Sequence, residues 1–318
     1  MPMQMPVETM LATTMPAKQK LPPHLRRMAE EMRVTADSIR LVDMNRRIQG
    51  TSIEIAEAPA RAPVRHALFD LDGTLSLLRD GWQDQMVPLM VGLLEDCGED
   101  ETPAELEKLV TGFVDQLTGK QTIYQMIRLC EEIEKRGGSP LEPLEYKALY
   151  NARLDTAISD RLEGVESSHL AREDFLVPGS LEFLEELTSR GVNCYLASGT
   201  DEDLVKRDAA LLGFDHLFEG RIFGALRQYE NFSKQMVIER IISENQLKGP
   251  ELIVVGDGYV EIRDGRRAGA VTFGVHTREN NRYHMNSGKR ERLLEAGAHF
   301  LAPGLEEGKA LLDFLATG

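Results

Sequence analysis

Asp70 and Asp72 stand two residues apart in His66–Leu75, HALFDLDGTL. Side chains alternate faces along a strand, so a strand ending near Asp72 projects both carboxylates from its carboxyl end. In an open α/β sheet, ligands bind at that edge. Two carboxylates so close resist joint ionisation, and a hard divalent cation relieves the conflict. Mg²⁺ is the natural candidate, since it favours oxygen ligands and phosphate oxygens. An acidic turn after a strand is the alternative, because Asp-Gly is a common turn pair.

Three further sites have the same character. Ser198-Gly199-Thr200 follows an apolar run ending at Ala197. A hydroxyl and a glycine between strand and helix can hold a phosphate oxygen, or simply form a loop capped by Thr200 or Asp201. Lys234 opens a predicted helix, Ser233–Asn245, where its charge opposes the macrodipole. A bound anion would reverse that balance; a solvated surface lysine is the alternative. Leu252–Val255 runs into Gly256-Asp257-Gly258, with Glu261 four residues on. Asp257 can complete the ligand set of a cation at Asp70 and Asp72. Glu261, one helical turn below, can bind through water or orient the others; a Gly-Asp-Gly turn is the alternative.

The elements that must position these residues are legible in the periodicity. From Val177 onward, strands and helices alternate: a helix with Leu181, Leu184 and Leu187, a strand Val192–Ala197, a helix Asp201–Leu212 and a strand Ile222-Phe223. After the helix and strand that carry Lys234 and Asp257 come a helix Val260–Ala268 and a strand Val271–Val275. A helix near Arg290–Glu295, a strand His299–Leu301 and a helix Leu305–Leu315 complete the pattern. Such alternation predicts a mostly parallel sheet with helices on both faces. Between about 78 and 177 helical spacing dominates, as in Met86-Leu89-Met90-Leu93-Leu94 and Leu106-Leu109-Val110-Phe113-Leu117, with a last helix predicted over Leu144–Ile158. Residues 1–23, rich in Met, Pro and Thr, are expected to be loosely attached. Amphipathic helices are expected between Leu25 and Arg47, and Ala58–Pro63 reads as a linker.

Composition narrows the partners. The 318 residues exceed the usual size of one core, so two domains are expected. The balance of 37 basic against 52 acidic residues, net −15, argues against nucleic acid or an anionic membrane surface. An anionic small substrate is still compatible if metal, lysine and helix N-termini supply local positive charge. No apolar run approaches membrane-spanning length. The amino terminus lacks a secretory core, and the three cysteines show no metal-like spacing. A cytoplasmic protein, monomer or homodimer, is the expectation.

Together the four pieces, Asp70-Leu71-Asp72-Gly73-Thr74-Leu75, Ser198, Lys234 and Gly256-Asp257 with Glu261, resemble the haloacid dehalogenase-like hydrolases. The resemblance covers about 66–76 and 178–318. It implies a Rossmann-like α/β core with an all-helical cap inserted after the first motif, as in phosphoglycolate phosphatase-like and β-phosphoglucomutase-like members. The domains expected are an extension over 1–60, a catalytic core over 61–77 and 178–318, and a cap over 78–177. Glu261 stands where the family usually has a second aspartate, and Gln235 follows Lys234 where proline is frequent.

The resemblance implies that Asp70 attacks phosphorus and that Asp72 acts as general acid, then base. The Asp72 carbonyl with Asp70 and Asp257 would hold Mg²⁺; Ser198, Gly199 and Lys234 would bind phosphate, with Thr74 and Glu261 in support. Cap residues Arg79, Trp82, Lys120, Gln121 and Tyr124 are candidates for substrate contact, each more readily read as structural or solvent-facing, because helical inserts need aromatics for their own core. The expected activity is a Mg²⁺-dependent phosphatase acting on a small phosphate ester. The alternatives are a phosphomutase on the same scaffold and a non-catalytic phospho-ligand-binding protein.

Overall fold

The run Ala67-Leu68-Phe69 is wholly buried, as a central parallel strand requires, because helices cover both of its faces. In a computed structural model, which describes residues 46–98, 101–278 and 281–317, this strand is β2 (His66–Phe69). A two-residue strand β1 (Glu54–Ile55) precedes it, and β3 (Asn193–Asp201), β4 (Ile222–Ala225), β5 (Leu252–Gly256), β6 (Val271–Val275) and β7 (Phe300–Ala302) follow. They form one seven-stranded sheet in the order β1-β7-β6-β5-β2-β3-β4, parallel except for the β1–β7 pair. β2 therefore lies between β3 and β5, and the order reverses there. That is the switch point at which open α/β sheets bind ligands.

Four helices, α1 (Trp82–Glu95), α2 (Pro103–Leu117), α3 (Ile123–Lys135) and α4 (Pro143–Glu166), form the insert. They have their own core, built around Met86, Met90, Phe113, Met126, Tyr146 and Leu154. The core helices are α5 (Ser180–Ser189), α6 (Glu202–Leu212), α7 (Lys234–Asn245), α8 (Tyr259–Arg267), α9 (Ser287–Glu295) and α10 (Gly308–Ala316). Phe69 anchors the larger core, meeting Phe183 and Phe218 edge to face at 5.9 and 6.5 Å. No helix among the described residues is long and apolar enough to cross a membrane.

The two crossings between core and insert lie side by side, with Leu77 N–H donating to the Phe175 carbonyl (2.8 Å) and Val177 N–H to that of Leu75 (3.1 Å). The insert is also fastened at its far end. Lys147 and Asn151 of α4 both donate to the carboxylate of Asp201 at the end of β3. Gln121 Nε2 donates to the carbonyls of Tyr229 (2.8 Å) and Phe232 (2.7 Å), in the loop that precedes α7.

Three expectations are corrected. The extension assigned to 1–60 gives its last part to the core sheet: β1 pairs with β7, Ile48 and Ile53 are buried in the main core, and Arg290 holds Glu54 with Nη2–Oε1 at 2.6 Å. A two-residue antiparallel edge has too few residues to show periodicity. Second, β3 does not end at Ala197 but continues through Ser198-Gly199-Thr200, across a register shift against β4. Third, α4 runs eight residues past Ile158, to Glu166. The helices expected between Leu25 and Arg47 lie almost wholly outside the described residues, as does segment 1–23.

Candidate active site

Asp70 is the first residue beyond β2, its N–H donating to the Val255 carbonyl of β5 (3.0 Å). The side chain turns toward α7 and α8. Asp70 Oδ2 lies 2.8 Å from Lys234 Nζ, and the same ammonium lies 2.9 Å from Glu261 Oε2. All three residues are almost fully buried. Lys234 is placed by the start of α7, where Ser233 caps the helix by accepting the Met236 N–H (3.1 Å). Glu261 is placed by the start of α8, its Oε1 accepting the Gly258 N–H at 2.6 Å. With both oxygens so engaged, Glu261 orients the lysine.

Asp257 follows β5, and oxygens of Asp70, Asp257 and Glu261 all lie within 4.8 Å of one another. Asp257 Oδ2 accepts from Lys289 Nζ of α9 at 2.6 Å, and Thr74 Oγ1 lies 3.4 Å from Oδ1. Gly73 makes this approach possible. Its φ of +74° suits glycine, and a Cβ there would overlap the Asp257 carboxylate.

Asp72 departs from the strand argument. The strand stops at Phe69, Asp72 lies in the following turn, and its carboxylate is not part of the Asp70–Asp257–Glu261 cluster. Instead Asp72 Oδ2 accepts from Thr200 Oγ1 at 2.9 Å, with Ser198 Oγ at 3.4 Å. Oδ1 has no hydrogen-bond partner among the described residues, with Arg79 Nε 3.8 Å away. Asp70 and Asp72 thus line one cavity of about 100 Å³ from different walls.

Burial dominates the electrostatics. It holds the carboxyl of Asp70 well above the ordinary range, against the pull of Lys234. It also raises Asp72, with Arg79 opposing. Burial disfavours charge on Lys234, but Asp70 and Glu261 outweigh it and hold the ammonium above its usual pKa. A buried Asp72 whose pKa burial raises suits a general acid. The buried, oxygen-only cluster around Asp70 suits a hard divalent ion, whose charge offsets the desolvation that disfavours the ionised carboxyl.

The remaining candidates fall in several places. Ser198, 2% exposed, lines the cavity and its Oγ accepts the Thr200 N–H (3.1 Å). Gly199 has a packing reason for its identity: a Cβ would collide with the Lys120 carbonyl of the insert. Trp82 lines the cavity. Arg79 also lines it but is committed to an ion pair with the fully buried Asp208 (2.8 Å). Lys120 reaches the rim, its ammonium 5.6 Å from the Tyr124 ring centroid. Tyr124 faces a neighbouring cavity of about 230 Å³, edge to face with Tyr229, instead of the one holding the carboxylates. Gln121 serves the fastening to the core.

The sequence offers Thr200 only as a helix cap, not as a partner of Asp72, and does not single out Asp208 or Lys289. Lys289 carried a usable signal. It is the third residue of α9, a lysine opposing a helix dipole as Lys234 does, but the helix was expected to begin at Arg290.

The family model described as haloacid dehalogenase-like hydrolase matches residues 64–269, well over half the chain. The chain belongs to the haloacid dehalogenase-like hydrolases. No curated protein matches it. Among solved structures, a predicted phosphoglycolate phosphatase from Haemophilus somnus 129PT is similar at 17% identity and TM-score 0.52, over 79% of this chain and 98% of that one. A β-phosphoglucomutase from Clostridium difficile is similar at 15% identity and TM-score 0.53, over 79% and 99%. A phosphonoacetaldehyde hydrolase-like protein from Oleispira antarctica is similar at 17% identity and TM-score 0.51, over 81% and 95%. At these identities the likeness concerns the fold.

Proposed function

We propose that the chain is a Mg²⁺-dependent phosphatase acting on a small organic phosphate monoester through an aspartyl-phosphate on Asp70. The observation that carries this reading is the pairing of two differently held carboxylates in one cavity. Asp70 is gripped by Lys234 at 2.8 Å, and Asp72 is turned away from it onto Thr200 at 2.9 Å. A nucleophile and a proton donor need that division of labour.

Asp70 attacks phosphorus, the P–O ester bond breaks, and Asp72 gives its proton to the departing oxygen. Asp72, now ionised, takes a proton from water as that water attacks the aspartyl-phosphate, releasing orthophosphate and restoring Asp70. Lys234 and Ser198 Oγ bind the phosphoryl oxygens through both steps. Asp70, Asp257 and the Asp72 carbonyl would hold Mg²⁺, which supplies charge stabilisation of the transferring group. A proton donor placed as Asp72 is contributes about 10²–10⁴-fold. The insert closes the cavity on the side opposite the sheet and bears the residues that meet the rest of the substrate.

A panel of phosphorylated sugars, acids and nucleotides, assayed with Mg²⁺ for free phosphate, tests this. The expected result is phosphate release from some member, abolished by chelator and restored by Mg²⁺. Isomerised sugar phosphate without release would assign the chain to mutase chemistry. Tight binding without turnover, or rates unchanged in excess chelator, would refute the mechanism.

A further inference from the structure

Among the described residues, Lys289 is a cationic side chain on the Asp257 edge of the site that the proposed mechanism does not use. The residue is 5% exposed. Its Nζ lies 2.6 Å from Asp257 Oδ2, and the absent side chain of Gly73 gives it room, since a Cβ there would stand 3.2 Å from Nζ. The residue is fixed at its backbone too, where Asn286 Oδ1 accepts the Lys289 N–H at 3.0 Å. A metal shared by Asp70 and Asp257 therefore meets an ammonium already seated on one of its ligands.

Two physical effects follow. One Asp257 oxygen is taken by a charge-assisted hydrogen bond. A like charge also sits 2.6 Å from a carboxylate that would hold the metal, in a buried setting where such repulsion is weakly screened. Lys289 places one positive charge beside a carboxylate that would hold the cation, and without it the pull on a cation would be stronger.

We propose that Lys289 is a resident cation that sets how tightly this site holds a divalent metal, keeping Mg²⁺ weakly bound and exchangeable. It is a positioning and tuning residue, acting through Asp257. The inference rests on the reading of Asp70 and Asp257 as metal holders, and its test is a binding measurement without substrate. Isothermal calorimetry of Mg²⁺ into the full chain compares wild type with Lys289→Gln, which keeps a donor for Asp257 without the charge, and Lys289→Arg, which keeps the charge. Lys289→Gln is expected to bind Mg²⁺ at least ~10-fold tighter than wild type, as removal of a nearby like charge requires. Lys289→Arg is expected to stay near the wild-type affinity. Lys289→Met, also uncharged, replaces the Gln variant if that one does not fold. Unchanged or weaker binding by the uncharged variant, beside a measurable wild-type affinity, would overturn this proposal and leave the metal reading standing. Absence of Mg²⁺ binding in wild type and variants alike would overturn both.

Discussion

Lys234→Met deletes one ammonium and little else, because methionine keeps most of the lysine stem's length and its apolar surface. Asp70 Oδ2 and Glu261 Oε2 then lose partners at 2.8 and 2.9 Å, with side chains only 8% and 2% exposed. Removing one partner of a buried ion pair costs about 3–5 kcal/mol. For a domain of roughly this size each kcal/mol moves Tm by about 2–4 °C, so the metal-free variant should melt about 6–20 °C below wild type at pH 7. The pH dependence has a definite sign. Burial already raises Asp70, and loss of Lys234 raises it further. A carboxyl whose folded pKa lies above its unfolded value binds its proton more tightly in the native state, so its ionisation at higher pH destabilises the fold. The deficit should therefore shrink toward pH 5, grow above pH 7, and shrink again when Mg²⁺ is added. Calorimetric melts across pH, with and without Mg²⁺, measure all three effects. A metal-free variant melting with wild type at pH 7 and 8 would refute the claim that Lys234 neutralises buried carboxylates.

Three other expectations concern separate parts of the molecule. Gly73→Ala places a Cβ at φ +74° against Asp257; it should cost at least ~1–2 kcal/mol by urea denaturation and weaken Mg²⁺ binding, and an unperturbed variant would contradict the packing described. Burial lowers His276 and His299 to about 4 from an ordinary value of 6.5, so both stay neutral in the fold while the unfolded chain takes up protons. Stability should then fall as pH drops from 6.5 toward 4, by up to about 1.4 kcal/mol per histidine per pH unit, and His276→Asn should flatten that slope in urea midpoints. Asp201→Ala releases Lys147 and Asn151 of the insert; KM should rise roughly tenfold with a smaller change in kcat, because the unfastened cap loses binding energy common to ground and transition states. An unchanged KM would show that the fastening does not hold the closed form.

How far the sequence reveals the site depends on the range of the interactions involved. Asp70, Asp257 and Lys234 are legible because each sits beside a local signal, an apolar strand before it or a helix start around it. The direction of Asp72 is not, since the strand ends at Phe69 and Asp72 lies in the turn beyond it, where strand alternation no longer applies. Thr200, Asp208 and Lys289 find their partners across 128, 129 and 32 residues, and no pattern in one sequence announces such pairs. The sheet was legible wherever strands are buried apolar runs. It was not at β1, two residues long, or at Ser198-Gly199-Thr200, whose composition reads as a loop although the chain remains paired there. Arg79 combines both readings: its Nε is paired with the buried Asp208, while the residue still lines the cavity.

The central claim is that Asp70 carries the phosphoryl group between substrate and water. Asp72→Asn removes both the acid of the first step and the base of the second; with an aryl phosphate such as p-nitrophenyl phosphate, whose leaving group needs no proton, only the second step slows, so that the covalent species accumulates. Rapid acid quench of this variant with such a substrate, followed by peptide mass spectrometry, tests the claim most directly. The account predicts a phosphoryl group on the peptide containing Asp70, located to that residue by fragmentation and absent in Asp70→Asn. Product formation within the quench time, with that peptide unmodified throughout, would contradict it.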